Sequence, residues 1–429
     1  MNSPALISPS DLRPEAREAN ASADEFPPGS VWLSPSAWMS FLAGFLTCFT
    51  ISLVGEMPVG ELVLMATAGW AGLCTVFNNT WPGPLLQSRF LWSLLIAQLI
   101  ALGGYIFSDL YRHSFPLDMA RGWSRMVFLA IDIVAIAYLF GCARRNFIVF
   151  QLGQCIGAVT SALILGPLFG DMWKFGVGAP LTYSVFLIAP LAGAFATMAA
   201  AGAIGIVHFM LDYRSMGGVC LLVGMLTFLQ IAPRQFRLWL APLMVVAALG
   251  AVYWIYGQTQ GGDNTRATRS DIERSAMATA AFEAFEQSPL IGHGSWFSNT
   301  DVYDNFMMIR HAAAKQAHVG GFDDPNKDPG AVAVHSQILV ALAEGGLFGG
   351  AFFFVYGAGL LWALYAIVFV RRWHRLTPFC TWVLLLALWD FFCSPFSGAQ
   401  RVSIAMVSGL ILLVQMDAIN PNPAMLSRP

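Results

Sequence analysis

The sequence predicts an all-α, polytopic membrane protein of about 12 transmembrane helices with one large extracytoplasmic loop. Three observations predict it. Of 429 residues, 57% are hydrophobic and 11% charged, whereas a soluble domain carries about 25% charge. Apolar runs recur at close to the roughly 20 residues that cross a bilayer as a helix. Arginines cluster at alternate connections, as the positive-inside rule expects. The Lys and Arg residues number 23 against 25 Asp and Glu, with no basic block, which argues against nucleic acid.

Taken in order, residues 1–35 are rich in Pro, Ser, Ala and Glu without an apolar core and read as a disordered cytoplasmic tail. Membrane helices 1–9 fill 36–256, at about 37–55, 60–78, 90–109, 124–142, 147–169, 178–192, 193–211, 216–232 and 237–256. The stretch 179–211 is too long for one crossing, and Pro190 with Gly193 breaks it in two. With the N-terminus inside, cytoplasmic connections hold Arg89, Arg144-Arg145, Arg234/Arg237 and Arg371-Arg372. Residues 257–334 then form an extracytoplasmic loop, and loops of that length are commonly functional. Ser270-Asp271-Ile272-Glu273 fits a capping box opening an Ala-rich helix to Gln287, which Pro289 ends. Membrane helices 10–12 occupy 335–416, at about 346–370, 378–395 and 400–416, before a cytoplasmic tail over 417–429.

Seven cysteines all fall in or beside apolar runs and read as small buried hydrophobes. Asp323, Asp324 and Asp328 sit among two prolines and a glycine, and read as a solvated turn rather than a metal site. No metal and no cofactor is expected.

The stretch from His335 through Ser336, Leu339 and Glu344-Gly345-Gly346 follows H-[SN]-x-x-L-x-x-x-x-E-x-G. It resembles the hallmark of the O-antigen ligase and polysaccharide polymerase superfamily. Two further stretches are similar to that family's motifs. Asp212-Tyr213-Arg214-Ser215-Met216-Gly217-Gly218 looks like its [ST]-x-S-R-G-G segment, with Tyr213 in place of the usual Ser. Arg274, fifteen residues before Pro289-Leu290-Ile291-Gly292-His293-Gly294, matches its Arg…Pro-x-x-Gly-x-Gly stretch, with Ala278 at the tryptophan position and Arg269 as a competing arginine.

The chemistry of these residues bears on the same assignment. Arginine is always charged and grips phosphate bidentately, so Arg214 and Arg274 suit the diphosphate of a lipid-linked donor. Arg214 equally fits an interfacial anchor paired with Asp212, and Arg274 by itself reads as a solvated charge. His335 stands at the start of a helix, whose dipole favours neutral imidazole, the form a general base needs. By itself it would read as a helix cap. Glu344 is expensive within hydrocarbon and reads as a structural residue orienting a loop backbone or neighbouring helices. Arg401 falls at the outer face, as a further phosphate or sugar contact or as an interfacial anchor.

The resemblance implies an inverting, metal-independent glycosyltransferase of the bacterial inner membrane, with its active site facing the periplasm. Its substrates would be an undecaprenyl-diphosphate-linked oligosaccharide donor and a glycan acceptor. The reaction favoured is polymerisation of repeat units into a secreted exopolysaccharide; the alternative is an O-antigen ligase acting on lipid A–core. Its partners would be the bilayer, a flippase and chain-length or export proteins. A transporter for the same lipid-linked glycan is the rival class. Transporters place charges near the bilayer midplane and repeat their halves; here the candidate charges gather beside one loop and no halves repeat.

Overall fold

The computed structural model describes residues 34–52, 55–78, 83–167, 171–233, 265–297, 300–316, 334–370 and 374–419, with scattered residues between 235 and 246. All but the last two residues of the tail expected over 1–35, nearly all of the run at 237–256, the Asp323–Asp328 turn and the last ten residues thus lie outside the described residues.

The chain opens with α1 (Pro35–Leu46), which Ser34 caps by accepting the amide of Ala37 and whose proline stands at the start, where a missing N–H is harmless. The first expected helix, 37–55, does not continue. It gives way to a short antiparallel hairpin, β1 (Thr50–Ser52) with β2 (Glu56–Pro58), in which Ile51 faces Met57. The β-branched Thr50 and Ile51, followed by Gly55 and Pro58, disfavour helix there. Then come α2 (Val59–Asn78), α3 (Arg89–Arg112), α4 (Pro116–Cys142) and α5 (Asn146–Ile164). A π-helical turn at Trp173–Val177 leads into α6 (Gly178–Ile188). The break expected near Pro190 is present: a 3-10 turn over Ala189–Ala192 ends at Gly193, before α7 (Ala194–Met210) and α8 (Arg214–Ile231).

Two helices belong to the expected loop: α9 (Thr265–Gln287) and α10 (Thr300–Gln316). The first starts before the capping box, so Ser270 lies inside it, and it ends at Gln287 just ahead of Pro289. The membrane portion resumes with α11 (Gln337–Gly349), α12 (Ala351–Tyr365) continued by a π-turn to Val370, α13 (Thr377–Cys393) and α14 (Gly398–Ile419). The helix expected at 346–370 is present from Ala351 onward, and the residues before it belong to α11, which reaches back to Gln337. That helix is broken inside at Gly346, with φ +63° and ψ −158°, a conformation no L-residue sustains in a helix.

Among the described residues, eight helices are long and apolar enough to span a membrane and three more are apolar but shorter. This is an all-α polytopic membrane protein apart from the one hairpin. Its large exposed side chains are apolar, among them Phe77, Leu99, Leu163, Phe195 and Met210, while the ion pairs Arg125–Glu344 and Arg401–Glu61 are buried inside the bundle. Apolar lining outside and paired charge inside is the arrangement a lipid solvent requires.

Candidate functional site

The loop turn Pro289–Gly294 is seated on the broken helix α11. Amide groups of His293 and Gly294 donate to the Ala343 and Glu344 carbonyls at 2.9 Å each, and the Leu347 amide donates to the Pro289 carbonyl at 2.8 Å. These bonds use the backbone groups that the break at Gly346 releases. The contact is so close that a Cβ on Gly292 would overlap the Glu344 carbonyl, and one on Gly346 would overlap that of Leu290. Gly292 also has φ +79°. The glycines of the Gly-His-Gly turn and of Glu344-Gly345-Gly346 are thus two halves of one joint.

Glu344 closes this joint from the side-chain direction. Its carboxylate pairs with buried Arg125 of α4, and its Oε1 accepts the Trp296 amide at 2.8 Å. Arg125 also lies 5.1 Å from the Phe396 ring centroid and 5.5 Å from that of Trp296, a cation–π cage. Asp109 of α3 adds a second clamp, accepting the Ser295 amide at 2.6 Å, the Ser295 hydroxyl at 2.7 Å and the Trp123 indole at 2.8 Å. Arg112 donates to the Gly292 carbonyl at 3.1 Å and to the Ser288 hydroxyl at 2.9 Å. Glu344 therefore orients a loop backbone and a neighbouring helix.

From this anchor α9 runs back over α11. Its alanine face (Ala276, Ala280, Ala281, Ala284) packs on Val334, Val340 and Ala343, with Val302 and Phe306 of α10 completing the cluster. That packing carries Arg274, on the exposed side of α9, into electrostatic range of His335. The helix starts at Gln337 with Ser336 as N-cap, whose hydroxyl accepts the Leu339 amide at 3.4 Å. His335 thus precedes the helix rather than opening it, and burial, not the helix dipole, sets its proton affinity. Its imidazole is pushed below its ordinary value first by burial and then by the Arg274 and Lys174 charges, with Glu273 opposing.

The remaining expected residues fall in three places. Arg214 begins α8, half-buried, with its Nε 3.1 Å from Asp212 Oδ1. The Asp212 pairing is present, and both side chains remain partly exposed. Arg269 lies near the start of α9, with its side chain outside the described part of the structure. Arg401 does not present its head group at the outer face: Nε and Nη2 meet both oxygens of buried Glu61 at 2.9 and 2.8 Å. Glu61, 340 residues away in sequence, offers a better partner than water because the pair is bidentate and enclosed.

Gln337, two residues after His335, lines a cavity of about 210 Å³ whose walls also include Tyr183, Tyr356, Trp382, Gln400 and Asp390. Gln337 Nε2 donates to Gln400 Oε1 at 3.4 Å, and the Ser394 hydroxyl to Asp390 Oδ1 at 2.6 Å. Arg125, Asp109, Asp390 and Lys174 were not singled out by the motif reading. The signal that marks the first three is a charge inside an apolar run, which is rare unless it has a partner or a task.

Comparison with curated proteins gives no match. The family model described as O-antigen ligase matches residues 185–354, a span that includes Arg214, Arg274, the Pro289–Gly294 turn, His335 and Glu344 and leaves out Lys174, Asp390 and Arg401. The motif residues around the α9–α11 joint lie within that span, and the match supports the resemblance of this part of the chain to the O-antigen ligase/polymerase superfamily.

Proposed function

We propose that the protein is an inverting, metal-independent glycosyltransferase of the bacterial inner membrane, joining undecaprenyl-diphosphate-linked repeat units into an exopolysaccharide on the periplasmic face. The observation that carries this reading is the approach of Arg274 to His335 across the α9–α11 packing. It sets a cation for phosphate beside a largely neutral imidazole, within a family of glycan ligases.

In this reaction His335 takes the proton of an acceptor hydroxyl, whose oxygen attacks the anomeric carbon from the face opposite the diphosphate. The new C–O bond forms as the bond from carbon to the phosphate oxygen breaks, and the electron pair leaves with undecaprenyl diphosphate. Arg274 and Arg214 hold that diphosphate and neutralise it, which is the role a metal ion plays elsewhere. The largely apolar walls of the cavity that Gln337 lines suit the first isoprenoid units.

Purified protein with a synthetic undecaprenyl-diphosphate oligosaccharide tests the reading. Wild type should extend chains in the presence of EDTA. His335→Asn should accumulate normally and lose about 10²–10⁴-fold in rate, the usual contribution of a general base. Substantial turnover by that variant would remove His335 from the chemistry. Loss of wild-type turnover with EDTA would point to a metal. Single-unit transfer to lipid A–core without chain growth would make the protein a ligase, and transport of donor without bond formation would make it a transporter.

A further inference from the structure

Lys174 stands second in the π-helical turn Trp173–Val177, a distortion often found at functional sites. Its backbone amide donates to Asp171 Oδ1 at 2.9 Å, which closes the turn. The preceding Trp173 donates its indole N–H to Nδ1 of buried His208 at 3.0 Å, and His208 Nε2 meets the Thr182 hydroxyl at 2.6 Å. The same histidine accepts the Tyr213 amide on its carbonyl at 2.8 Å and packs edge-on against the Tyr213 ring at 5.3 Å. One residue thereby ties the Lys174 turn to the Asp212-Tyr213-Arg214 junction. Lys174 Nζ consequently lies 6.0 Å from the Tyr213 ring centroid and 5.3 Å from that of Phe175. Its charge is also the smallest of the contributions that hold His335 below its ordinary value, after burial and the Arg274 charge. Among the described residues no carboxylate pairs with it.

We propose that Lys174 is a third cation of the donor site, held against Tyr213 beside the Arg214 junction to receive the charge that develops on the departing diphosphate. This rests on the donor being a lipid-linked diphosphate, as proposed above. In such a donor each phosphate is a diester with one negative charge, so two arginines balance it. When the sugar–oxygen bond breaks, the released terminal phosphate gains a further ionisable oxygen, since its second pKa is about 6. A cation matched to that charge stabilises the transition state and product more than the bound donor, and so acts on kcat. An ammonium on a flexible stem can follow a moving phosphate oxygen, whereas a bidentate guanidinium holds the resting diphosphate in register.

The test uses the full chain in nanodiscs, comparing wild type with Lys174→Gln, Lys174→Arg and His335→Asn. Two quantities are read: steady-state turnover of the synthetic donor, and binding of undecaprenyl diphosphate itself by native mass spectrometry. Lys174→Gln should lose kcat by on the order of 10²-fold, with KM for donor little changed, and should bind undecaprenyl diphosphate more weakly. Lys174→Arg should recover most of both, and His335→Asn should lose turnover while binding that product as wild type does. Equal product binding by wild type and Lys174→Gln overturns the assignment, whatever turnover shows. A rise in KM at unchanged kcat also overturns it, in favour of a cation that binds the donor in its ground state. Lys174-dependent product binding in a wild type that cannot turn over donor keeps the cation site and sinks the glycosyltransferase reading instead.

Discussion

At the scale of single residues, Arg401 and His335 show how neighbours decide what an ionisable group can do. Arg401 is 7% exposed and meets Glu61, at 0%, through two nearly parallel hydrogen bonds. Removing one member of such a pair leaves a buried uncompensated charge, at about 3–5 kcal/mol. Glu61→Gln and Arg401→Met should each lower the thermal midpoint in detergent strongly. The double variant Glu61→Leu with Arg401→Met should recover part of that loss. A single variant that melts like wild type but binds donor poorly would return Arg401 to the site. For His335 the sign follows from the charges around it. Burial and Arg274 hold it below its ordinary value and Glu273 raises it, so the neutral, base-competent form survives to pH below about 6.5. Arg274→Gln removes a repelling cation and should move the acidic limb of kcat/KM to higher pH. Glu273→Gln should move it lower. Limbs that coincide in all three proteins would mean that another group titrates.

At the scale of elements, the joint between the Pro289–Gly294 turn and the break in α11 positions everything else. Gly346 must take φ +63° and Gly292 φ +79°, and each lies where a Cβ would strike the other segment's backbone. Gly346→Ala and Gly292→Ala should therefore destabilise by about 1–3 kcal/mol from backbone conformation alone, and more from the overlap. The consequence should spread: with the turn unseated, α9 loses its register over α11 and Arg274 no longer reaches His335. Limited proteolysis should cut between α9 and α10 faster in both variants, with activity lost in parallel. Unchanged cleavage alongside lost activity would mean that these glycines act on substrate rather than on the joint.

At the scale of the whole molecule, the arginine distribution predicts that the α9–α10 segment lies on the outer face. Asp304, exposed on α10, offers a site to read this: a single cysteine there, in a cysteine-free background, should react with an impermeant thiol reagent added to intact spheroplasts. A cysteine at Arg144, between α4 and α5, should react only after permeabilisation. The reverse pattern would put His335 on the cytoplasmic side, where the proposed reaction would have to be redrawn. The buried pairs Arg125–Glu344 and Arg401–Glu61 tie α4 to α11 and α14 to α2, so the helices that carry the site are braced against one another by charge inside the bundle.

The amino-acid sequence by itself determined the solvent, the helical class and the chemistry available. Those follow from local quantities: apolar run length, the proline and glycine punctuation at Pro190 and Pro289, and the motif spacings around Arg214, Arg274 and His335. It did not reveal that 37–55 ends in a hairpin or that a separate helix, broken at Gly346, precedes Ala351. There tertiary contact supplies hydrogen-bond partners that hydropathy does not register, as the Pro289 turn does for the opened backbone at Gly346. Nor did it say which charges were site and which were scaffold. Arg401 and Arg214 look alike in sequence, each an arginine beside an apolar run, yet one is enclosed against Glu61 and the other stays half-open beside Asp212. Lys174 carried no motif at all, and its place near Tyr213 comes from His208 fastening two segments about 40 residues apart. Electrostatic energy falls with distance through space, not along the chain, so only the folded structure could set that cation beside the others.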